Sequence, residues 1–192
     1  MARLLYRLDV QALFFIITGL RRYDGRHLLT TRPNLIREMV DMGHEVGSHT
    51  HTHKNLATLP AEKIRWECTK SVEVLDSILN GRTHFYGLSY PYGAYNDEVV
   101  SLIGKSFRYG TTMGRNNRWN KVLDPYRIGT MGIRHLVNYP FKTLKNDVRL
   151  VVLTFHNEPS TVIKLLVEIL KTTNFKMLPL TESLAKLGLI SQ

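Results

Sequence analysis

Apolar residues along this chain switch repeatedly between short unbroken runs and helical spacing. Residues 12–18 form an apolar run, Ala12 to Ile17 with Thr18 at its end, that predicts a buried strand. Thr31 and Pro33, followed by Leu35, Ile36, Met39 and Val40, describe a capped amphipathic helix that Gly43 closes. Residues 45–48 predict a second short strand, which leads into a histidine-rich loop. Over residues 60–79 the apolar positions Ile64, Cys68, Val72, Leu75 and Leu79 follow a helical period, and Asn80-Gly81 stops it.

Downstream the alternation continues. Residues 85–90 are strand-like and lead into Pro91-Tyr92-Gly93. Asn96 is placed to cap a helix, with Asp97 and Glu98 in its first turn, where the helix dipole favours acids. Residues 109–113 and 127–133 are further strands, and 150–155, apolar except for Thr154, is the strongest strand of all. A helix over 160–171 and a last strand over 176–180 complete the series. Strands that are apolar throughout and alternate with helices predict an α/β fold with a parallel sheet covered by helices. Periodicity alone leaves an open sheet and a barrel as alternatives. No repeat, low-complexity tract or linker divides residues 1–192, so one domain is expected.

Charge changes the picture only modestly. The 26 basic and 16 acidic side chains leave a formal charge of +10. That charge favours anionic partners, but the basic residues are scattered apart from Arg21-Arg22 and the cluster at 115–118. No interleaved aromatic and basic stripe points to a nucleic-acid module. The single cysteine, Cys68, excludes internal disulfides and a thiolate metal cluster, and its helical spacing reads as core packing. Arg3, Arg7 and the run 12–17 loosely imitate a signal peptide, but Asp9 and Gln11 interrupt it and it is too short for a membrane span. A cytoplasmic protein with no membrane span is the expectation.

Candidate chemistry concentrates between residues 43 and 53. His44, His49, His51 and His53 fall within Gly-His-Glu-Val-Gly-Ser-His-Thr-His-Thr-His. If 45–48 is a strand, His49 stands at its C-terminal end, where parallel β/α architectures gather active-site groups. His53 can turn back onto the same spot through one helical turn. Two neutral imidazoles so placed suit zinc or a similar divalent ion, which needs a third protein ligand for a catalytic site.

The same segment resembles the metal-binding element of the polysaccharide deacetylases, a His-Ser/Thr-x-x-His pattern matched by His49, Thr50 and His53. Other stretches match in order. The run 10–19 resembles the family's second strand, and Ser89-Tyr90-Pro91-Tyr92-Gly93 resembles its Arg-Pro-Pro-Tyr-Gly groove motif. Asp124 to Ile128, Leu153-Thr154-Phe155-His156 and Phe175-Lys176 follow. The resemblance implies a distorted (β/α) barrel and a metal-dependent hydrolase. It would remove acetyl groups from N-acetylated amino sugars, a C–N bond other than a peptide. It implies His49 and His53 as ligands of a divalent metal, zinc first among them. His156 would be the acid that protonates the leaving amine, and the Tyr92 backbone N–H a donor to the oxyanion. Tyr90, Pro91, Tyr92 and Leu153 would meet the acetylated carbohydrate.

Three departures qualify that reading. The family's Asp-Asp pair, one base and one metal ligand, occurs nowhere in the chain. Counted back from Phe14-Phe15 it falls before Met1, so the barrel is expected without its first strand and the domain shortened at its N-terminus. Ser89 replaces the motif arginine, and Trp119 has no aspartate before it. A missing strand leaves open edges, to be covered by closure of the barrel, by residues 1–9 or by a second copy of the chain. Two further functions stay open: a non-catalytic glycan-binding or scaffold protein that keeps the groove, and nucleic-acid binding through the net charge.

Overall fold

The computed structural model describes residues 1–82, 87–114, 123–133, 150–173 and 176–191. Helix α1 (Ala2–Arg7) precedes strand β1 (Leu13–Ile16), and a small hairpin follows, β2 (Arg22–Tyr23) with β3 (Arg26–His27). Next come α2 (Pro33–Asp41), β4 (Glu45–Ser48), α3 (Ala61–Leu79), β5 (Gly87–Ser89) and α4 (Asp97–Ile103). The chain continues with β6 (Tyr109–Met113), β7 (Ile128–Gly132), β8 (Leu153–Thr154), α5 (Ser160–Lys171) and α6 (Leu180–Lys186).

Local chemistry accounts for most boundaries. Asn96 accepts the Val99 N–H at 2.9 Å and starts α4 as a side-chain cap. Asn80 ends α3 in the left-handed conformation, φ 51°. Helix α2 starts differently from the expectation at Thr31. Pro33 occupies its first turn, no side chain caps it, and the Thr31 hydroxyl donates to Leu28 O within a preceding 3₁₀ turn.

Six strands form one sheet in the order β1-β4-β5-β6-β7-β8, every pair parallel. The sheet curls into a half-barrel of the (β/α) type, with β1 and β8 at its two ends. Its outer face packs on α2, α3 and α4 through Ile16, Ile36, Val46, Ile64, Leu75 and Leu88. Helix α6 lies across the N-terminal mouth, where Leu180 and Leu184 pack with Leu13, Tyr109 and Ile128. Those three residues open β1, β6 and β7, so the opposite, C-terminal mouth is left for chemistry.

Residues 1–9 meet the edge problem. Leu5 of α1 shares a cluster with Ile163 and Val167 of α5, and Phe14 of β1 and Phe155 beside β8 join it, so α1 bridges the two ends of the sheet. Burying this apolar surface links the sheet ends without a hydrogen bond between β1 and β8.

Two expected strands change. Of 150–155 only Leu153 and Thr154 pair with β7, because this is an edge with a neighbour on one side. The run is held by side-chain alternation instead, with Leu150 and Val152 turned to the α6 cluster and Leu153 and Phe155 to the α5 clusters. No strand forms over 176–179. Pro179, which lacks an N–H, precedes the first residue of α6 at φ −52° and ψ 148°, so Leu180 begins a helix. The cluster 115–118, Trp119, Phe175 and the start of the strand expected at 85–90 lie outside the described residues.

Candidate active site

Every candidate residue with polar chemistry follows the C-terminal end of a strand: His49 after β4, Tyr92 after β5, His156 after β8. His49 Nδ1 donates to Ser89 O at 2.8 Å, which fixes its tautomer and leaves a lone pair on Nε2. Ser89 thus serves the site through its backbone carbonyl rather than its side chain. His53 Nε2 lies 3.1 Å from His49 Nε2, while His53 Nδ1 is buried without a hydrogen-bond partner among the described residues. Because nothing holds Nδ1, His53 can present either tautomer at Nε2.

Both imidazoles are kept neutral. Burial lowers the His49 pKa to about 4, with the nearby His53 and His156 charges adding to it and the Ser89 carbonyl opposing. Burial also lowers His53, with Glu67 opposing and His156 adding. The separation suits a shared cation. Two nitrogens about 2.0–2.1 Å from one tetrahedral zinc stand about 3.3 Å apart, close to the 3.1 Å between these Nε2 atoms. No cluster of three or more His, Cys, Asp or Glu able to hold a metal occurs among the described residues. The pair therefore fits two positions of a metal site.

The loop that presents His53 is strained and tightly held. Thr50 and His53 both take positive φ, 65° and 59°, which costs energy in non-glycine residues. The Thr50 hydroxyl accepts the His53 N–H at 3.0 Å, and Ser48 Oγ accepts Thr50 N–H at 3.0 Å. Glu67 of α3, only 3% exposed, does more: its carboxylate accepts the N–H groups of His51 at 2.9 Å and Thr52 at 2.7 Å, and the Thr52 hydroxyl. The segment just after β1 adds Thr18 N–H to Thr50 O at 3.2 Å and Gly19 N–H to His51 O at 2.7 Å.

The four clustered histidines part company. His44 is buried, accepting Ala12 N–H on Nδ1 and donating to Ala2 O from Nε2, so it ties α1 and β1 to β4. His51 is hydrogen-bonded to the Thr18 hydroxyl and stands edge-on to Trp66. Its ring fills the space where a Cβ on Gly19 would sit, 2.5 Å from Nε2. Only His49 and His53 meet.

Aromatic walls surround that pair. Tyr23 of the hairpin lies edge-on to His53 with ring centroids 4.5 Å apart, Tyr92 flanks it at 4.9 Å, and the two tyrosine hydroxyls are 3.5 Å apart. Tyr92 is 61% exposed and takes φ 60°, whereas Pro91 is buried and Tyr90, 2% exposed, donates its hydroxyl to Tyr126 O. Tyr90 and Pro91 thus support the motif from beneath while Tyr92 lies open at the mouth. Leu153 is half-buried among Met131, Phe155 and Leu166, and His156 is exposed with its N–H on Glu158.

Tyr23 and Glu67 are the contributors that sequence patterning passed over. Tyr23-Asp24-Gly25-Arg26 carries an Asp-Gly signal for a two-residue hairpin turn, and Asp24 and Gly25 take φ 48° and 72°. Glu67 lies among the apolar positions of α3, a buried acid with no sequence mark of its partner.

A curled parallel β/α sheet with convergent neutral imidazoles at its C-terminal mouth defines the class, a β/α half-barrel with its candidate site at that mouth. The chain belongs to the polysaccharide deacetylase family, whose model matches residues 1–108. It is 25% identical over 173 residues to a peptidoglycan-N-acetylglucosamine deacetylase of Bacillus cereus, covering 87% of this chain and 70% of that one. It is 30% identical over 123 residues, 62% of its length, to an uncharacterised 30.6 kDa protein of Geobacillus stearothermophilus, of which it spans 40%. In fold it is similar to a pseudoenzyme of the CE4 family from Bacillus anthracis, with TM-score 0.65 and 21% identity over 95% of this chain and 58% of that one.

Proposed function

We propose that this chain is a metal-dependent hydrolase of the deacetylase type acting on N-acetylated amino sugars. One observation carries the proposal: the 3.1 Å approach of two neutral Nε2 atoms, with the His49 tautomer set by Ser89 O. His49 and His53 would hold a divalent cation, zinc by the preference of imidazole nitrogen. Such an ion, when bound, polarises the acetyl carbonyl and makes water a better nucleophile. The Tyr92 N–H donates to the oxygen that gains charge, and Tyr92 with Leu153 walls the methyl group. His156 would deliver its proton to the amine nitrogen as the C–N bond breaks, the proton lost by the attacking water would pass to solvent, and the acetyl carbon would keep that water's hydroxyl as acetic acid, which ionises to acetate.

A second reading is a glycan-binding protein without turnover. The lack of a third ligand beside His49 and His53 among the described residues favours it. Zinc titration of the wild type and His49→Ala, followed by acetate release from chitooligosaccharides, separates the two. The deacetylase reading expects zinc binding lost in His49→Ala and acetate released by the wild type. Zinc uptake unchanged by His49→Ala overturns the metal assignment. Saturable glycan binding with no acetate in excess zinc selects the second reading.

A further inference from the structure

The β2–β3 hairpin brings an arginine to the mouth of the site, and no carboxylate pairs with it among the described residues. Tyr23 and Arg26 are directly opposed in the antiparallel register, so their side chains share one face of the ribbon. Tyr23 on that face touches His53 and Tyr92. Arg26 donates to the Asn157 amide oxygen, one residue beyond His156. The opposite face carries Arg22, which meets His27 at 2.8 Å. The hairpin base is fastened, by Leu28 N–H to Arg21 O at 3.0 Å and by the Thr30 hydroxyl to Leu20 O at 2.9 Å.

The charges around Arg26 make it a reader of anions. Arg26 takes a neutral amide as its partner, and no ion pair involves Arg21, Arg22 or Arg26 among the described residues. Glu158, the nearest acid in sequence to Asn157, spends its carboxylate on the N–H groups of His156 and Asn157. Asp24 is the only acid between residues 20 and 28, against three arginines. A guanidinium has five N–H donors in a planar fork matched to carboxylate, and one bond to Asn157 leaves the others for a ligand.

The geometry points to Arg26 as the anion-binding residue of a substrate subsite. The substrate is then an acidic glycan, in which a carboxylate-bearing sugar adjoins the N-acetylated sugar entering the His49–His53 pocket. Tyr23 and Tyr92 offer that N-acetylated sugar an aromatic wall, and Arg26 takes the neighbouring carboxylate. The inference rests on the deacetylase reading for its reaction, but its binding arm stands apart from turnover. Nucleic acid is the less favoured anion, because the unpaired arginines occupy one short hairpin rather than a long groove.

The test uses the zinc-loaded full chain and two probes of equal length. One is a neutral chitooligosaccharide and the other alternates N-acetylglucosamine with a hexuronic acid. Acetate release and calorimetric binding are measured for the wild type, Arg26→Gln, Arg26→Lys and the distant surface variant Arg65→Gln. Arg26→Gln is expected to lose about 10-fold on the acidic probe and under about 2-fold on the neutral one, the size of a charge-assisted contact. Arg26→Lys should fall between, since an ammonium keeps the charge without the fork. Added salt should weaken the acidic probe alone, and Arg65→Gln should match the wild type.

Equal losses on both probes, or none on the acidic one, overturn the inference and leave the deacetylase reading intact if acetate is released. Acidic binding that depends on Arg26 without acetate from either probe supports the subsite and overturns the deacetylase reading. A short DNA duplex bound with the same Arg26 dependence overturns the glycan assignment.

Discussion

Glu67 is the residue on which the His loop depends most. It stands on α3, outside the motif it serves, and satisfies three donors of the segment between the two candidate ligands. Glu67→Ala leaves those half-buried donors without this acceptor, and we expect about 2 kcal/mol lost in urea unfolding, with weaker zinc binding at His49 and His53. Glu67→Gln keeps one acceptor oxygen and should fall between. A loss below about 1 kcal/mol would mean that Thr50 and the β1 contacts hold the loop unaided. At this scale the sequence was only partly legible. His49 and His53 were readable as a pair from their spacing after a strand, but the string Gly43 to His53 does not say what His44 and His51 do. Only burial and partners do so: two backbone groups for His44, Thr18 and Trp66 for His51.

Among the elements, the long periodic helices α2, α3 and α5 and the strands β4, β6 and β7 were legible because apolar spacing and caps agree over many residues. The short ones were not. Strands β2 and β3 have two residues each, and the strand expected over 176–180 gives way to irregular chain that ends at the first residue of α6, since proline and tertiary packing outweigh a brief apolar run. Helix α6 is nevertheless structural: Leu184 is 0% exposed against Tyr109 and Ile128 at the N-terminal mouth. Leu184→Ala should cost about 3 kcal/mol in denaturant unfolding, while leaving zinc binding at the opposite mouth unchanged. Loss of zinc binding in that variant, under conditions where it stays folded, would show that the two mouths are coupled. Cys68 behaves as the spacing implies, buried on α3 with its thiol pushed up to about 12 by burial and then by Glu67.

Over the whole molecule, closure of the half-barrel depends on contacts between distant parts of the chain. Helix α1 joins β1 to α5 through Leu5, and α6 returns to the start of β4, where Glu45 accepts Thr181 N–H at 3.3 Å. Burial raises the Glu45 pKa above its usual 4.5, Thr181 opposes, and Glu182 adds to the rise. A carboxyl whose folded pKa is raised favours folding fully below its unfolded pKa, and that contribution is lost as pH rises through the folded value. Glu45→Gln should therefore stabilise the protein at pH 7, with the gain shrinking toward nothing as pH falls below about 4. Denaturant midpoints of both proteins at the two pH values check it, and a larger gain in acid would refute the assigned cause.

By itself the sequence determined the alternation of strands and helices, the parallel sheet and the position of His49 at a strand's C-terminal end. Each of these follows from periodicity and short-range stereochemistry, which are local. The tertiary structure decided which histidines converge, that Glu67 and Tyr23 belong to the site, and that α1 and α6 seal the sheet ends and its lower mouth. Apart from the four-residue step between His49 and His53, those outcomes depend on residues 15 to more than 130 positions apart, and no local pattern records which donor will meet which acceptor.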